Sequence, residues 1–448
     1  MTDLLAARIQ MALSLGFHIV FAEIGIAMPL LMVLAEWKWL RRGDAVYLEL
    51  ARRWAKGTAI LFAVGAVSGT VLSFELGLLW PGFMRFAGPL IGMPFTLEGV
   101  AFFTEAIFLG VYLYGWDRIA RRAHLAAGIV VAASGAASAV LVVLVNAWMN
   151  TPVGFQLAAD GALTNIDPLA AMQSPAAFEQ VLHMLLAAYA STGLAVAGVH
   201  AWMILRGAAP GFHARALRIA LAVGGTAAVL QPISGDIGAR AVAVAQPIKL
   251  AALEGLWETQ RGAPLSLGGW PDAEREETRW ALQIPYGLSL LAFHDPHAEV
   301  QGLKSVPPAD RPPVAIVHVA FQIMVALGSA MALVALWAGW IALWRRDVTV
   351  QRGLLRALVA VAPFGFIATE AGWVVTEVGR QPWVVHGLMR TADSVTPMPG
   401  LIVPMLLFTL HYLGLGAIVA VLLRSLVRET EGPRVERSAT AAPERGTP

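Results

Sequence analysis

Six side chains able to ligate iron or carry protons lie inside apolar, membrane-length stretches: His18, Glu98, Glu105, His183, Met324 and Glu370. Five are ionisable. Holding an ionisable group in hydrocarbon is costly, so such residues usually mark sites or pathways. Histidine and methionine form a known axial pair for low-spin haem iron and raise its potential. His18 and Glu370 can each ligate another iron. Glu98 and Glu105 are seven residues apart, which puts both on one helix face and suits a proton relay. Each residue alone has a plainer explanation. A methionine in a span is ordinarily packing. A glutamate at a span end can reach headgroups, and a lone intramembrane histidine such as His411 can bond a neighbouring helix. These explanations weaken when several such groups converge at one depth, which depends on topology.

The chain of 448 residues is 57% hydrophobic and 14% charged, against about 25% charged in soluble proteins. Long apolar stretches recur along its whole length, as in a polytopic membrane protein. There is no cysteine, which excludes protein-ligated iron–sulfur clusters, thiolate metal sites, CxxCH haem attachment and disulfides. Any cofactor must be held by His, Met or carboxylate. The first apolar stretch, about 9–35, is too long for a signal-peptide core and contains His18 and Glu23, so it reads as a retained span.

Hydropathy places nine spans at roughly 9–36, 57–78, 95–115, 124–148, 179–205, 215–234, 314–344, 354–378 and 401–424. The expected fold is an all-α polytopic bundle. Residues 1–234 would carry six spans, 235–313 a long outer loop, 314–425 three spans and 426–448 a disordered tail rich in Glu, Arg, Thr and Pro. With the N-terminus outside, the inner loops and tail hold 21 of the 32 Lys and Arg residues. The short outer segments then hold only Arg8, Arg85, Arg380 and Arg390, and the other seven lie in the long loop, which the positive-inside rule weighs little. The C-terminus is therefore expected in the cytoplasm. The apolar piece 281–293 of the loop is too short to cross and suits the interface.

This topology assigns depth. Span three enters from outside near Phe95, so Glu98 is expected at its outer end with Glu105 two turns deeper. His183 falls one turn inside span five. Met324 and His18 lie about 15 Å down at 1.5 Å per residue. Glu370 sits about two turns below the outer surface, with Glu377 on the same face. Independent spans thus converge on the outer half of the membrane.

Local strings then become specific. Glu370-Ala-Gly-Trp373 is followed by Gly379-Arg-Gln-Pro-Trp383. Lys249-Leu-Ala-Ala-Leu-Glu254 precedes Trp257-Glu-Thr259. Glu98-Gly is followed by Phe102-Phe-Thr-Glu105 and Gly115-Trp-Asp-Arg118, and Asn146-Ala-Trp-Met149 closes span four. Together they closely resemble subunit I of the cytochrome bd-type quinol oxidases, over about residues 5–425. The resemblance implies His183 and Met324 as axial ligands of a low-spin haem b. It implies His18 and Glu370 as ligands of two high-spin haems, one b and one d, in an order it leaves open. Glu98 would lie beside a high-spin haem and Glu105 on the proton route. Lys249 and Glu254 would belong to the quinol-oxidising loop, and Arg380 and Trp383 to a haem-binding motif. It also implies a bacterial inner-membrane enzyme that oxidises quinol outside and reduces O2 with cytoplasmic protons, separating charge without a pump. Its partners would be a subunit II and a small single-span subunit, with no nucleic acid.

The chain departs from the best-known members. Gln322 stands where they carry Arg, Phe366 where Trp is familiar, and the loop lacks a long insert. These features resemble the cyanide-insensitive subgroup, in which a b-type haem can replace haem d. A cofactor-free proton-coupled transporter would explain buried carboxylates, but not His and Met at one depth, and no internal repeat is visible. A haem–copper oxidase needs more intramembrane histidines, because His124, His213, His294, His297 and His386 fall in loops or at span ends. A di-haem anchor subunit would favour paired His ligands and would not need Glu98, Glu105 and Glu370. Glu23, mid-span, is expected against a protein or water-filled face on a proton path. His411 is expected to pack between helices.

Overall fold

The computed structural model describes residues 1–159 and 161–430. Its helices in chain order are α1 (Asp3–Arg42), α2 (Ala45–Leu79), α3 (Pro81–Tyr114), α4 (Arg121–Asn150), α5 (Pro168–Met172), α6 (Ala177–Leu205) and α7 (Pro210–Ala245). There follow α8 (Pro247–Glu254), α9 (Gly287–Phe293), α10 (Val314–Leu343), α11 (Arg352–Val361), α12 (Phe364–Val378), α13 (Thr391–Ser394) and α14 (Ile402–Thr430). Among the described residues nine segments are long and apolar enough to cross a membrane, one of them formed by α11 and α12 together. The all-α bundle expected from hydropathy is thus present. Residues 431–448, most of the expected tail, lie outside the described residues, and 426–430 continue α14.

Local signals set several ends. Thr2 caps α1 by accepting from Leu5 N–H, and Gly43, at φ +66°, closes it with an N–H to the Trp39 carbonyl. Asp44 caps α2 through Val46 N–H and also pairs with Arg215 at 2.8 Å. Side-chain oxygens at N-caps and left-handed glycines past the C-terminus satisfy backbone groups the helix leaves open.

Two expected boundaries are corrected. Spans two and three were placed with a loop at 79–94; instead α3 begins at Pro81, with only Trp80 between helices. Pro81 sits at the first helical position, where its missing N–H is harmless, and Pro89 and Pro94 are tolerated inside the helix. Glu98 therefore lies 17 residues along α3, not at its end. Second, α7 runs to Ala245 rather than ending at 234, despite Pro232. The eighth span keeps close to its expected extent but breaks inside, at Ala362-Pro363, into α11 and α12.

The bundle packs through small residues, as membrane helices must when lipid is as apolar as their side chains. A methyl on Gly193 would come 2.5 Å from Gly224 Cα, and one on Gly365 would meet Ser191 Cα at 2.3 Å, so α6 touches α7 and α12 almost backbone to backbone. Leu194, Leu217, Met331, Leu354 and Leu358 fill the core beside them.

The segment between α8 and α10 folds as a cap on α8 and α10. Short antiparallel pairs join 265–267 to 282–284, 270–272 to 277–279 and 260–261 to 299–300. Its core is Leu253, Trp257, Leu303 and Val317, with Leu288 and Ala292 of α9 buried in it. The apolar piece 281–293 thus partly fills the cap as a strand and α9. Six of the seven basic residues of 235–313 are paired with acids of that segment: Arg240–Asp236, Arg261–Glu299, Arg275 and Arg279 with Asp272, Lys304–Glu258 and Arg311–Glu276. The seventh, Lys249, is buried.

Candidate functional site

The two candidate histidines are held alike. His18 Nδ1 lies 3.0 Å from Ser68 Oγ, whose own proton goes to the Val64 carbonyl at 2.9 Å. His183 Nδ1 lies 2.9 Å from Ser234 Oγ, which donates to the Gln231 carbonyl at 2.8 Å. With the serine proton on the carbonyl, each serine accepts, so that Nδ1 carries the proton and Nε2 keeps a lone pair. That tautomer, fixed from behind, is the one a metal needs. A methyl on Gly69 would lie 2.9 Å from the His18 ring, and one on Gly235 would lie 3.5 Å from the His183 ring. At His183 the Gln231 side-chain amide meets the Nε2 lone pair at 3.1 Å.

α12 draws the remaining donors together. The Glu370 carboxylate faces α1 at Gly16, where a methyl would lie 3.1 Å from Oε2, two residues from His18; its Oε1 is buried without a protein partner. Two residues on, towards the other side of α12, Gly372 leaves room for Met324 Sδ, which would meet a methyl there at 3.1 Å. Glu98 accepts from Ser138 Oγ at 2.9 Å, and the buried Glu105 carboxyl lies over Gly135 of α4. Glu23 is buried with both carboxyl oxygens unpartnered.

At the α12 C-terminus a polar network meets α8. Lys249 Nζ donates to Asn150 Oδ1 at 3.1 Å and to the Thr376 carbonyl at 3.2 Å. Asn150 donates to Asn146, Asn146 donates to Glu377, and Arg380 donates to Glu377 at 2.6 Å. Arg380 is only 2% exposed, and its Nε and Nη1 lack protein partners. Arg390 is engaged by Asp310, with its guanidinium over the Trp383 ring at 4.9 Å. Burial lowers the Lys249 pKa to about 7, with help from Arg380, against opposition from Glu377 and Glu179. Burial raises the Glu254 pKa to about 7, against a hydrogen bond from Ser266 N–H. A lysine and a carboxyl that both titrate near neutrality suit proton-coupled chemistry.

Two sets were not legible in the sequence. Ser68 and Ser234 stand 50 and 51 residues from the histidines they orient, and no spacing rule links them. His124 and His213, placed at span ends, are buried: His124 bonds Glu36 at 2.8 Å, and His213 meets His200 at 2.8 Å. His411 is exposed on α14 and does not pack against the other described helices of this chain.

Among the described residues no group of three or more His, Asp or Glu side chains converges tightly enough to hold a bare metal ion. The donors come singly, on different helices. They fit a macrocycle that brings four nitrogens of its own and takes one or two axial protein ligands, with Arg380's two free donors suited to an anionic substituent.

The sequence matches the profile of cytochrome bd terminal oxidase subunit I over residues 6–431. It is 37% identical over 430 residues to a Bacillus subtilis (strain 168) protein provisionally named cytochrome bd menaquinol oxidase subunit I, covering 94% of this chain and 96% of that one. It is 33% identical to the cytochrome bd ubiquinol oxidase subunit 1 of the same organism, covering 94% and 93%. The structure of bd oxidase from Geobacillus thermodenitrificans superposes with a TM-score of 0.89 at 40% identity, covering 96% of this chain and 99% of that chain. The chain belongs to the cytochrome bd terminal oxidase subunit I family. It is a multi-pass protein of the bacterial inner membrane and a haem-bearing subunit of a respiratory oxidase.

Proposed function

We propose that this chain is the quinol-oxidising, oxygen-reducing subunit of its complex, with donors as follows. His183 and Met324 hold a low-spin haem b. His18 and Glu370 hold two high-spin haems, one of type b and the other of type d or a b-type haem in its place. Arg380, next to Trp383, neutralises a haem carboxylate. The observation that carries this reading is the matched geometry of His18 and His183, each held at Nδ1 by a serine, with Nε2 open at His18 and met only by the Gln231 amide at His183. Bound haem supplies electron transfer and oxygen reduction; the protein supplies position, charge and protons.

Glu254 is the base that takes a proton from quinol, being buried and ionising near neutrality. Lys249, whose ammonium reaches into the Asn150–Glu377 network, places positive charge where a quinol anion would form. Each quinol yields two electrons and two protons. Four electrons and four protons reduce O2 to two waters, so two quinols serve each O2. Glu105 and Glu98 pass protons inward from the cytoplasmic half, Ser138 orienting Glu98. The excess of Lys and Arg in alternate loops supports an external N-terminus and quinol oxidation on the outer side. Residues 246–313, between α7 and α10, form the quinol-oxidising segment. A subunit II, and a small single-span subunit, complete the complex. The absence of a long insert and the presence of Gln322 and Phe366 favour the cyanide-insensitive subgroup.

The test is a reduced-minus-oxidised spectrum with pyridine haemochrome analysis on the purified complex. Haem b with a chlorin band in the red supports haem d. Haem b alone supports its replacement. Folded protein without haem refutes the assignment.

A further inference from the structure

His318 is fully buried at the start of α10, six residues before Met324. Its Nδ1 lies 2.7 Å from the Leu253 carbonyl, beside Glu254, and its Nε2 lies 3.0 Å from the Gly268 carbonyl. Both partners are acceptors, so the ring clamps both segments only while each nitrogen carries a proton. One turn along, Gln322 repeats the attachment. Its Nε2 donates to the Ser266 carbonyl at 3.0 Å, and its Oε1 accepts from Gly268 N–H at 3.0 Å.

These bonds converge on one place. The Ser266 backbone N–H faces the Glu254 carboxyl and favours its charged form. Gly255, at φ +64°, closes α8 against the His318 ring, where a methyl would sit 3.5 Å from Nδ1. The Gly255 carbonyl accepts from Thr278 Oγ1 at 2.7 Å. Gly268 and Gly269 take φ of +64° and +103°, so the turn presents its peptide groups to α10 through a conformation few other residues adopt. Neither His318 nor Gln322 figures in the mechanism above, yet without them the 265–270 turn has no polar attachment to α10 among the described residues.

We infer that His318 is a positioning residue for quinol oxidation: with Gln322, it ties the Glu254 end of α8 and the 266–268 turn to α10, the helix that carries Met324. This rests on the reading of α8 as part of the quinol site. A rigid link fixes the distance between the proton acceptor and the low-spin haem's ligand helix. Misplacement of such a group by about 1 Å can cost up to about a hundredfold.

The experiment compares wild type, His318→Ala, His318→Gln, Gln322→Ala and Glu254→Ala in the intact complex. It measures steady-state quinol kinetics, hydrogen exchange and the reduced spectrum. In His318→Ala we expect the amides of 253–256 and 266–270 to exchange about tenfold faster, because two buried carbonyls lose their donors. We expect KM for quinol to rise about tenfold, with the low-spin haem spectrum unchanged. His318→Gln keeps one amide donor and should recover part of both effects. Should His318→Ala fail to assemble, His318→Gln and Gln322→Ala carry the same readouts. Unchanged exchange in these segments overturns the tether. Faster exchange with unchanged KM, while Glu254→Ala is impaired, overturns the positioning role. If Glu254→Ala itself oxidises quinol normally, the quinol-site reading fails and the positioning role falls with it. The exchange data would still judge the tether.

Discussion

The quinol side of the reaction should show a bell-shaped pH profile set by two residues. Glu254 must be ionised to accept a proton, and burial holds its pKa at about 7, so its competent fraction falls as pH drops. Lys249 must be charged to favour the quinol anion, and burial has brought its pKa down to about 7, so its competent fraction falls as pH rises. The product of the two fractions peaks near pH 7 and is about threefold lower one unit to either side. With the ordinary values of 4.5 and 10.5 the product would change by roughly 3% between pH 6 and 8. Anaerobic stopped-flow reduction of the haem by a short-chain quinol isolates this step from proton uptake during oxygen reduction. Glu254→Gln should slow reduction and abolish the acidic limb. Lys249→Gln should slow it and abolish the alkaline limb, with all haems retained in both. A flat wild-type profile between pH 6 and 8, or limbs that survive both substitutions, would refute the reasoning.

Met324→Leu removes the thioether and should convert the low-spin haem to a high-spin or lower-potential form, checked by redox-titrated spectra; an unchanged spectrum argues against that ligand. Glu23→Gln keeps the shape of a buried side chain whose carboxyl oxygens have no partner, and should slow oxygen reduction in a pH-dependent way; unchanged turnover at every pH removes Glu23 from the proton path. Gly365→Val drives a side chain into Ser191 on α6 and should cost about 1–3 kcal/mol or more, seen as a lower melting temperature in detergent. Because the chain has no cysteine, single-cysteine labelling reads orientation cleanly. Glu274→Cys should react with an impermeant maleimide on intact cells and Asp117→Cys should not; the reverse pattern would invert the proposed topology.

The sequence alone determined the class of architecture and the shortlist of chemistry. Runs of about 20 apolar residues are legible because hydrocarbon demands them, and the placement of Lys and Arg follows from insertion rather than folding. His18, His183, Met324 and Glu370 stood out because a donor or ionisable group inside such a run needs a reason. Helix ends were less legible. Pro81, Pro89 and Pro94 look like loop, yet α3 runs through them, because within a packed membrane bundle neighbouring groups compensate the lost backbone bonds. Tertiary structure alone decided what surrounds the site. The serines that fix the His18 and His183 tautomers, the burial that brings Lys249 and Glu254 to a common pKa, and the clamp of His318 on two loop carbonyls each join residues far apart in the chain. Hydropathy records how each segment meets its solvent. Which side chains meet one another depends on how the helices pack, and that depends on the whole chain at once.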